Sequence, residues 1–284
     1  MDNILVPYDF NKQSELALGQ AVKLARRINS RIILLYVNET PRFLSSIFST
    51  GLNDEMVEKI NDHLDAVATR ISLHESVYVE ASLQSGRIYT TIVKVADEMN
   101  AKFIVMGTRS SDGNDPERKR MMGANTSRVI RSAHCPVITI SGSIHYDGCR
   151  SILLPLDLTK ETKQKINRAI EIATFYGSKI RVVSAYRPTD NEVFMRLKEQ
   201  MSQVKDFISN HGVECEGELI KTTDGEKTFV PAILNYARSK NDVDLIMIMT
   251  QQENPVIEYF VGSHAQEFIR ISEIPVVSIV PDDK

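Results

Sequence analysis

The sequence predicts an α/β protein of two tandem, open, parallel five-stranded sheets flanked by helices. Three observations carry that expectation. Near-continuous apolar runs such as Arg31 to Val37 (RIILLYV) have the composition of strands covered on both faces. Between these runs lie segments with apolar residues at helical spacing, so the first half reads β-α-β-α-β-α-β-α-β. The same order then begins again in the second half.

Asn3 to Asp9 (NILVPYD) is the first strand, closed by Pro and Asp. Ser14 to Ile28 carries Ala17, Ala21, Leu24, Ala25 and Ile28 on one helical stripe. Arg31 to Val37 is the second strand, and Pro41 to Asn53, with its Pro, Ser and Gly, reads as an irregular connection folding over the site. Asp54 to His74 is helical, with Met56, Ile60, Leu64, Val67 and Ile71 on one side. Val77 to Leu83, Gly86 to Met99 and Phe103 to Met106 follow as strand, helix and strand. After a glycine-bearing loop and one more helix, Pro136 to Ile140 is a β-branched strand entered through proline.

The repeat sets the domain organisation. Ile152 to Asp157 (ILLPLD) lies 148 residues after Ile4 to Asp9 (ILVPYD), and Ser178 to Ala185 stands at the same offset from Ser30 to Val37. Gly262, Phe268-Ile-Arg and Ile274-Pro-Val-Val lie 139 residues after Gly123, Val129-Ile-Arg and Cys135-Pro-Val-Ile. The expected domains are 1–143 and 149–284, joined through the polar stretch Ser141 to Gly148. So short a linker favours a packed pair over independent beads.

Composition narrows the function classes. A net charge of −3 gives no reason to expect a nucleic acid or an anionic membrane as partner. No stretch reaches the roughly 18 apolar residues of a membrane span, and the opening MDNILVPYDF lacks a signal-peptide pattern, so a cytoplasmic location is expected. Cys135, Cys149 and Cys215 show no CxxC spacing and read as reduced thiols. His134 adjoins Cys135, but neighbours on an extended chain face opposite sides and make a poor ligand pair. No metal site and no catalytic residue is expected.

The most informative chemistry lies between Gly107 and Asn125. Gly107, Gly113 and Gly123 punctuate a loop carrying Arg118, Lys119 and Arg120, and a helix opens after Gly123. Backbone N–H groups at a helix N-terminus, approached through glycines, form a seat for phosphate. The basic triplet is equally a solvated turn, and the glycines equally a matter of loop geometry. In the second half Met249 and Gln252 replace the first two glycines and only Gly262 and Ser263 remain, so any such site is expected mainly in the first half.

ILVPYD, the strand IVMGT and ANTSRVIRSAHCPVITI resemble the universal stress protein family in its tandem form, over essentially the whole chain. The resemblance implies a Rossmann-like sheet of the adenine-nucleotide α-hydrolase-like type, with ATP or a related adenine nucleotide as ligand and Mg as its companion. It implies base and ribose contacts near Pro7, Asp9 and Val37, and phosphate contacts around Gly107, Thr108, Gly113, Gly123, Ala124, Asn125 and Thr126. The family pattern is Gly-x2-Gly-x9-Gly-(Ser/Thr). Here five residues separate Gly107 from Gly113, nine separate Gly113 from Gly123, and Ala124 replaces the hydroxyl residue, leaving Thr126 or Ser127 to supply one a turn later. Asp9 recurs as Asp157 in the half with the poorer signature, which favours a structural job, such as accepting backbone N–H bonds, as much as ribose or Mg binding.

Two readings of function follow. In the first, the chain is a stress-response regulatory module whose affinity for a protein partner changes with nucleotide occupancy, acting by differential binding with at most slow ATP hydrolysis. In the second, it is a scaffold without nucleotide, its halves packed as an internal pseudo-dimer through Val137 to Ile140 and Val276 to Ile279, and open to a further homodimer. The HxGH and SGGxDS signatures of nucleotidyl-transfer relatives are absent.

Overall fold

A computed structural model describes residues 1–39, 50–108, 122–141, 149–156, 163–186, 191–222, 229–250 and 263–279. The chain divides into two compact units, Met1–Ile140 and Ser141–Lys284. The first contains β1 (Asn3–Pro7), α1 (Lys12–Ile28), β2 (Arg31–Asn38), α2 (Thr50–Glu75), β3 (Val79–Ser85), α3 (Ile88–Glu98), β4 (Ala101–Gly107), α4 (Ala124–Ser132) and β5 (Val137–Ile140). The second contains β6 (Ser151–Pro155), α5 (Lys163–Tyr176), β7 (Lys179–Tyr186), α6 (Asn191–Asn210), β8 (Cys215–Lys221), α7 (Phe229–Ser239), β9 (Val243–Met249), α8 (Ser263–Ile271) and β10 (Val276–Ile279). No helix among the described residues is long and apolar enough to cross a membrane.

Within the first unit the strand order is β3-β2-β1-β4-β5, and within the second it is β8-β7-β6-β9-β10. Neighbouring strands within each unit pair in parallel. Ile4, Leu5 and Val6 of β1 and Ile32 to Leu35 of β2 are fully buried, as both-face coverage by helices requires. The repeat extends to an irregularity. β1 slips register on β4 between Asn3 and Ile4, and β6 slips on β9 between Ser151 and Ile152.

Helix α1 begins two residues before the periodicity suggests, because the Asn11 side chain accepts a hydrogen bond from Ser14 N at 2.8 Å and caps the first turn. It ends at Asn29, in the left-handed region at φ 51°, with Ser30 N donating to Ala25 O at 3.0 Å. α5 ends the same way at Gly177, φ 65°. α2 starts at Thr50, four residues before the expected Asp54, and residues 41–49 of the expected irregular connection lie outside the described residues.

The units differ at the N-terminal edge of the sheet. Where β2 has the buried Ile33, β7 has Arg181, each paired with the equivalent leucine of the central strand. Arg181 donates to both oxygens of Asp242, at 3.1 and 2.8 Å, and pairs with Glu216. Lys179 Nζ joins the same carboxylates at 2.8 Å from Asp242 and 3.1 Å from Glu216. Hydrogen bonds from Arg181 hold the Asp242 carboxyl far below the usual range, and those from Lys179 lower Glu216.

Candidate functional site

In the first unit the chain leaves β1 toward β2 and β3 on one side and returns to β4 and β5 on the other. The segments following β1 and β4 therefore diverge. An open α/β sheet takes its ligand in the crevice made at such a switch point, outside the C-terminal ends of the strands.

One wall is the start of α1. Asn11 Nδ2 donates to Asp9 Oδ2 at 2.9 Å, Asn11 N approaches Asp9 Oδ1 at 3.4 Å, and Asn11 in turn caps the helix. Asp9 is thus built into the cap of α1 while its side chain remains exposed. Gln13, in the first turn of α1, presses on the end of β4. A Cβ placed on Gly107 would lie 2.8 Å from Gln13 Cβ and 3.1 Å from the Gln13 carbonyl carbon and oxygen. The glycine at 107 is needed for this close approach of helix to strand.

The other wall is the start of α4. Its N-cap residue, Gly123, has extended backbone angles and no side chain with which to cap the first N–H groups. The turn is fastened to β4 at two points: Gly123 N donates to Thr108 O at 2.8 Å, and Thr126 Oγ1 donates to Gly107 O at 3.2 Å. The Thr126 hydroxyl, expected as a phosphate contact, gives its proton to β4 and so helps seat the helix. Ala124 and Asn125 occupy the first turn beside it.

Two buried polar atoms on the residues flanking Gly107 have no hydrogen-bond partner among the described residues: Gln13 Oε1 and Thr108 Oγ1. Thr108 is 2% exposed, and its backbone N donates to Ile140 O at 3.1 Å. The second unit supplies the control. Thr250 occupies the equivalent position after β9, its N donates to Ile279 O at 3.0 Å, and its hydroxyl donates to the same carbonyl at 3.3 Å. The end of β6 is also filled: Lys165 Nζ donates to Pro155 O, where the equivalent helix position in the first unit is Ala17.

Of the residues the sequence singles out, Gly107, Thr108, Gly123 and Thr126 are linked directly by hydrogen bonds or through their neighbours, and Ala124 and Asn125 stand with them. Asp9 joins through the α1 cap, and Pro7 is the last residue of β1. Val37 lies near the end of β2, paired with Gln84, on the far side of β1 from β4. Gly113 and the basic triplet Arg118, Lys119 and Arg120 lie outside the described residues, as do Asp157, Gln252 and Gly262. Gln13 belongs to no motif; its only signal in the sequence is its place just after the capping residue.

Beside the crevice, Phe10 adopts φ 61°, the left-handed region that costs a bulky residue about 1–2 kcal/mol. Its ring packs on Tyr8 (5.0 Å), Tyr36 (5.6 Å) and His63 (6.4 Å). Aromatic pairs each stabilise by about 0.5–1.5 kcal/mol, enough to offset the strain. Burial, before the negative charge of Glu15, raises the Tyr8 phenol.

The thiols stand apart from this site. Burial pushes Cys135 up to about 12 and Cys215 to about 11, so both stay protonated near neutral pH. His134 Nδ1 lies 3.0 Å from Asp97, exposed. Among the described residues no group of three or more His, Cys, Asp or Glu is placed to hold a metal.

The model of the universal stress protein family matches the chain twice, over residues 1–141 and 148–279. The chain belongs to the universal stress protein family. As a tandem member it is similar over nearly its full length to the crystal structure of a universal stress protein from Archaeoglobus fulgidus, with a TM-score of 0.73, 21% identity, and 99% of this chain and 97% of that one covered. A second structure, a putative universal stress protein from Pseudomonas aeruginosa, gives a TM-score of 0.68 at 18% identity, covering 100% of this chain and 94% of that one. At these identities the likeness establishes a shared fold. A universal stress protein of Methanocaldococcus jannaschii is 25% identical over 139 residues, 48% of this chain and 80% of the relative.

Proposed function

We propose that this universal stress protein is a regulatory module that binds ATP or a related adenine nucleotide in the crevice of its first unit. The observation that carries the reading is the start of α4: a nine-residue helix without a side-chain N-cap bond, fastened to the end of β4 beside the β1/β4 switch point. The first N–H groups of such a helix, together with its dipole, suit a phosphate. The Thr108 hydroxyl, without a partner among the described residues, belongs to the residue whose carbonyl seats Gly123 N and fits a polar ligand beside the helix start, and a bound Mg would meet the exposed carboxylate of Asp9. The second unit resembles the first in fold but uses Thr250 and Lys165 internally, and we assign it no nucleotide. Function then comes from occupancy: a ligand that orders the first crevice shifts affinity for a protein partner by its differential binding to the two states.

Titration with a fluorescent ATP analogue tests this reading. Saturable binding is expected in the full chain and its loss in Gly123→Val, because valine fits the extended backbone at φ −61°, ψ 141° yet sets a side chain before the first turn. Absence of saturable signal at millimolar nucleotide would contradict it.

A further inference from the structure

Helix α2 outruns the sheet it covers. With 26 residues at about 1.5 Å each it is about 39 Å long, while β2, with 8 residues at about 3.3 Å, is about 26 Å. The last turn of α2 is level with the start of β3, where Val79 N donates to Ser72 Oγ at 3.0 Å. The surplus of about two turns therefore stands at the other end, beyond the C-terminal ends of the strands. The apolar row of the helix records this residue by residue. Ala68 and Leu64 are 4% and 0% exposed, Ile60 is half-buried and Met56 is 63% exposed, although all four lie on one i, i+4 line. Val57 is half-buried beside them, and at the foot of the overhang His63 meets the ring of Phe10. In the second unit α6 has 20 residues, about 30 Å, and nearly matches the 8 residues of β7.

An acidic stripe runs beside this row. Glu58, Asp62 and Asp65, at i, i+4 and i+7, are all exposed, and Lys59, the one cation between residues 55 and 65, is held by Glu55 at 2.7 Å. The opening of α6 is balanced instead, with Glu192 and Glu199 against Arg196 and Lys198. We infer that the overhang of α2 docks a basic amphipathic helix of a partner protein. Its aliphatic side chains would cover Met56, Val57 and Ile60, and its lysines or arginines would meet Glu58, Asp62 and Asp65. The inference rests on the reading of the chain as a regulatory module, for which it names the partner-binding surface, and it does not require nucleotide. An apolar row held in water on a soluble protein marks an interaction site, and the flexible thioether of Met56 adapts to the surface that covers it. The acidic border sets the sign of the partner and turns away anionic membranes and nucleic acid.

The test is fluorescence anisotropy of the full chain, without nucleotide, against a labelled leucine–lysine peptide of about five helical turns with its leucines on one face. The same composition in scrambled order and a leucine–glutamate version serve as controls. Saturable one-to-one binding of the amphipathic basic peptide is expected, about tenfold weaker for the scrambled peptide and absent for the acidic one. Met56→Ser should weaken binding about tenfold, the loss of one buried methionine, while melting as the wild type does because the side chain is exposed. Glu58→Lys should weaken it about threefold, an effect that shrinks as salt is raised. Met195→Ser, at the exposed methionine of α6, and Glu98→Lys, the same charge change on α3, should bind as the wild type does. Equal binding of the ordered and scrambled peptides, or equal losses in Met56→Ser and Met195→Ser, would overturn the docking surface. So would equal losses in Glu58→Lys and Glu98→Lys, which would reduce the binding to net charge. Self-association of the wild type that Met56→Ser abolishes, with no peptide bound, would give the surface to a second copy and overturn the inference too. Because the titration holds no nucleotide, a chain that binds the peptide but no ATP keeps this surface and loses only the nucleotide reading.

Discussion

A buried threonine follows the fourth strand of each unit, Thr108 in the first and Thr250 in the second, and each gives its backbone N–H to the last strand of its own unit. The hydroxyl of Thr250 bonds the Ile279 carbonyl, while that of Thr108 has no partner among the described residues. A similar contrast runs along the sheet. Gly107 admits the first turn of α1 onto β4, where the second unit has Met249; Ala17 lies in α1 where the second unit has Lys165, which bonds the end of β6. At the opposite edge the second unit holds an ion network around Arg181, where the first has the fully buried Ile33. Two copies of one fold have thus been stabilised differently after the fourth strand: the second bonds its threonine hydroxyl to the last strand and the first does not. Each unit keeps other buried polar atoms without a partner among the described residues, Gln13 and Ser30 in the first and Gln200 and Ser278 in the second.

The largest expected effect breaks the network of the second unit. Arg181→Met leaves Asp242 with Lys179 as its remaining network cation. Severing a fully buried pair costs about 3–5 kcal/mol, and because the Asp242 side chain is 26% exposed the loss here should be about 2–3 kcal/mol. Hydrogen exchange should show it as reduced protection in β7 and β9 with β2 and β4 unchanged; equal loss in both units would mean that they unfold together. Acid should sharpen the contrast. Asp242 and Glu216 have depressed folded values, so their contribution is present above the unfolded carboxyl values, about 4, and is lost as pH falls below them. Exchange protection in the second unit should therefore decline on acidification, and less steeply in Arg181→Met.

Gly107→Ala comes next. The added Cβ meets the Gln13 backbone, which cannot swing aside as a side-chain tip would, and overpacking of this kind costs about 1–3 kcal/mol. Met249→Ala, at the position that already carries a side chain, should cost no more than about 1 kcal/mol. Urea denaturation of the two variants compares them directly, and a neutral Gly107→Ala would show that α1 is not held against β4. The smallest effect is expected from Asn11→Ala, about 1 kcal/mol for a lost N-cap, with exchange loosened first in the opening turn of α1.

Much of the fold is legible in the sequence because its signals are local. RIILLYV declares a strand covered on both faces, and ILLPLD repeats ILVPYD at a fixed offset. Arg181 is visible as a single cation inside an apolar strand, but its partner Asp242 is 61 residues away and no local pattern joins them. The site is less legible for the same reason. Gly107 reads as an opening for phosphate, whereas the space a side chain would take is filled by Gln13. Thr126 reads as a hydroxyl for the ligand, and no sequence pattern shows that it also ties α4 to Gly107 O. Thr108 and Thr250 are the same residue in the same place, each giving its N–H to the last strand, and that only the Thr250 hydroxyl also bonds that carbonyl is invisible in the sequence. Gln13 precedes the apolar stripe of its helix, so periodicity passes over it.

The central claim, that one crevice of the two is open to nucleotide, is tested most directly by the stoichiometry of ATP binding to the full chain in a calorimeter. A single ATP per chain is predicted, lost in Gly123→Val and retained in Gly262→Val. Two equivalent sites, or equal loss in both variants, would contradict the asymmetry.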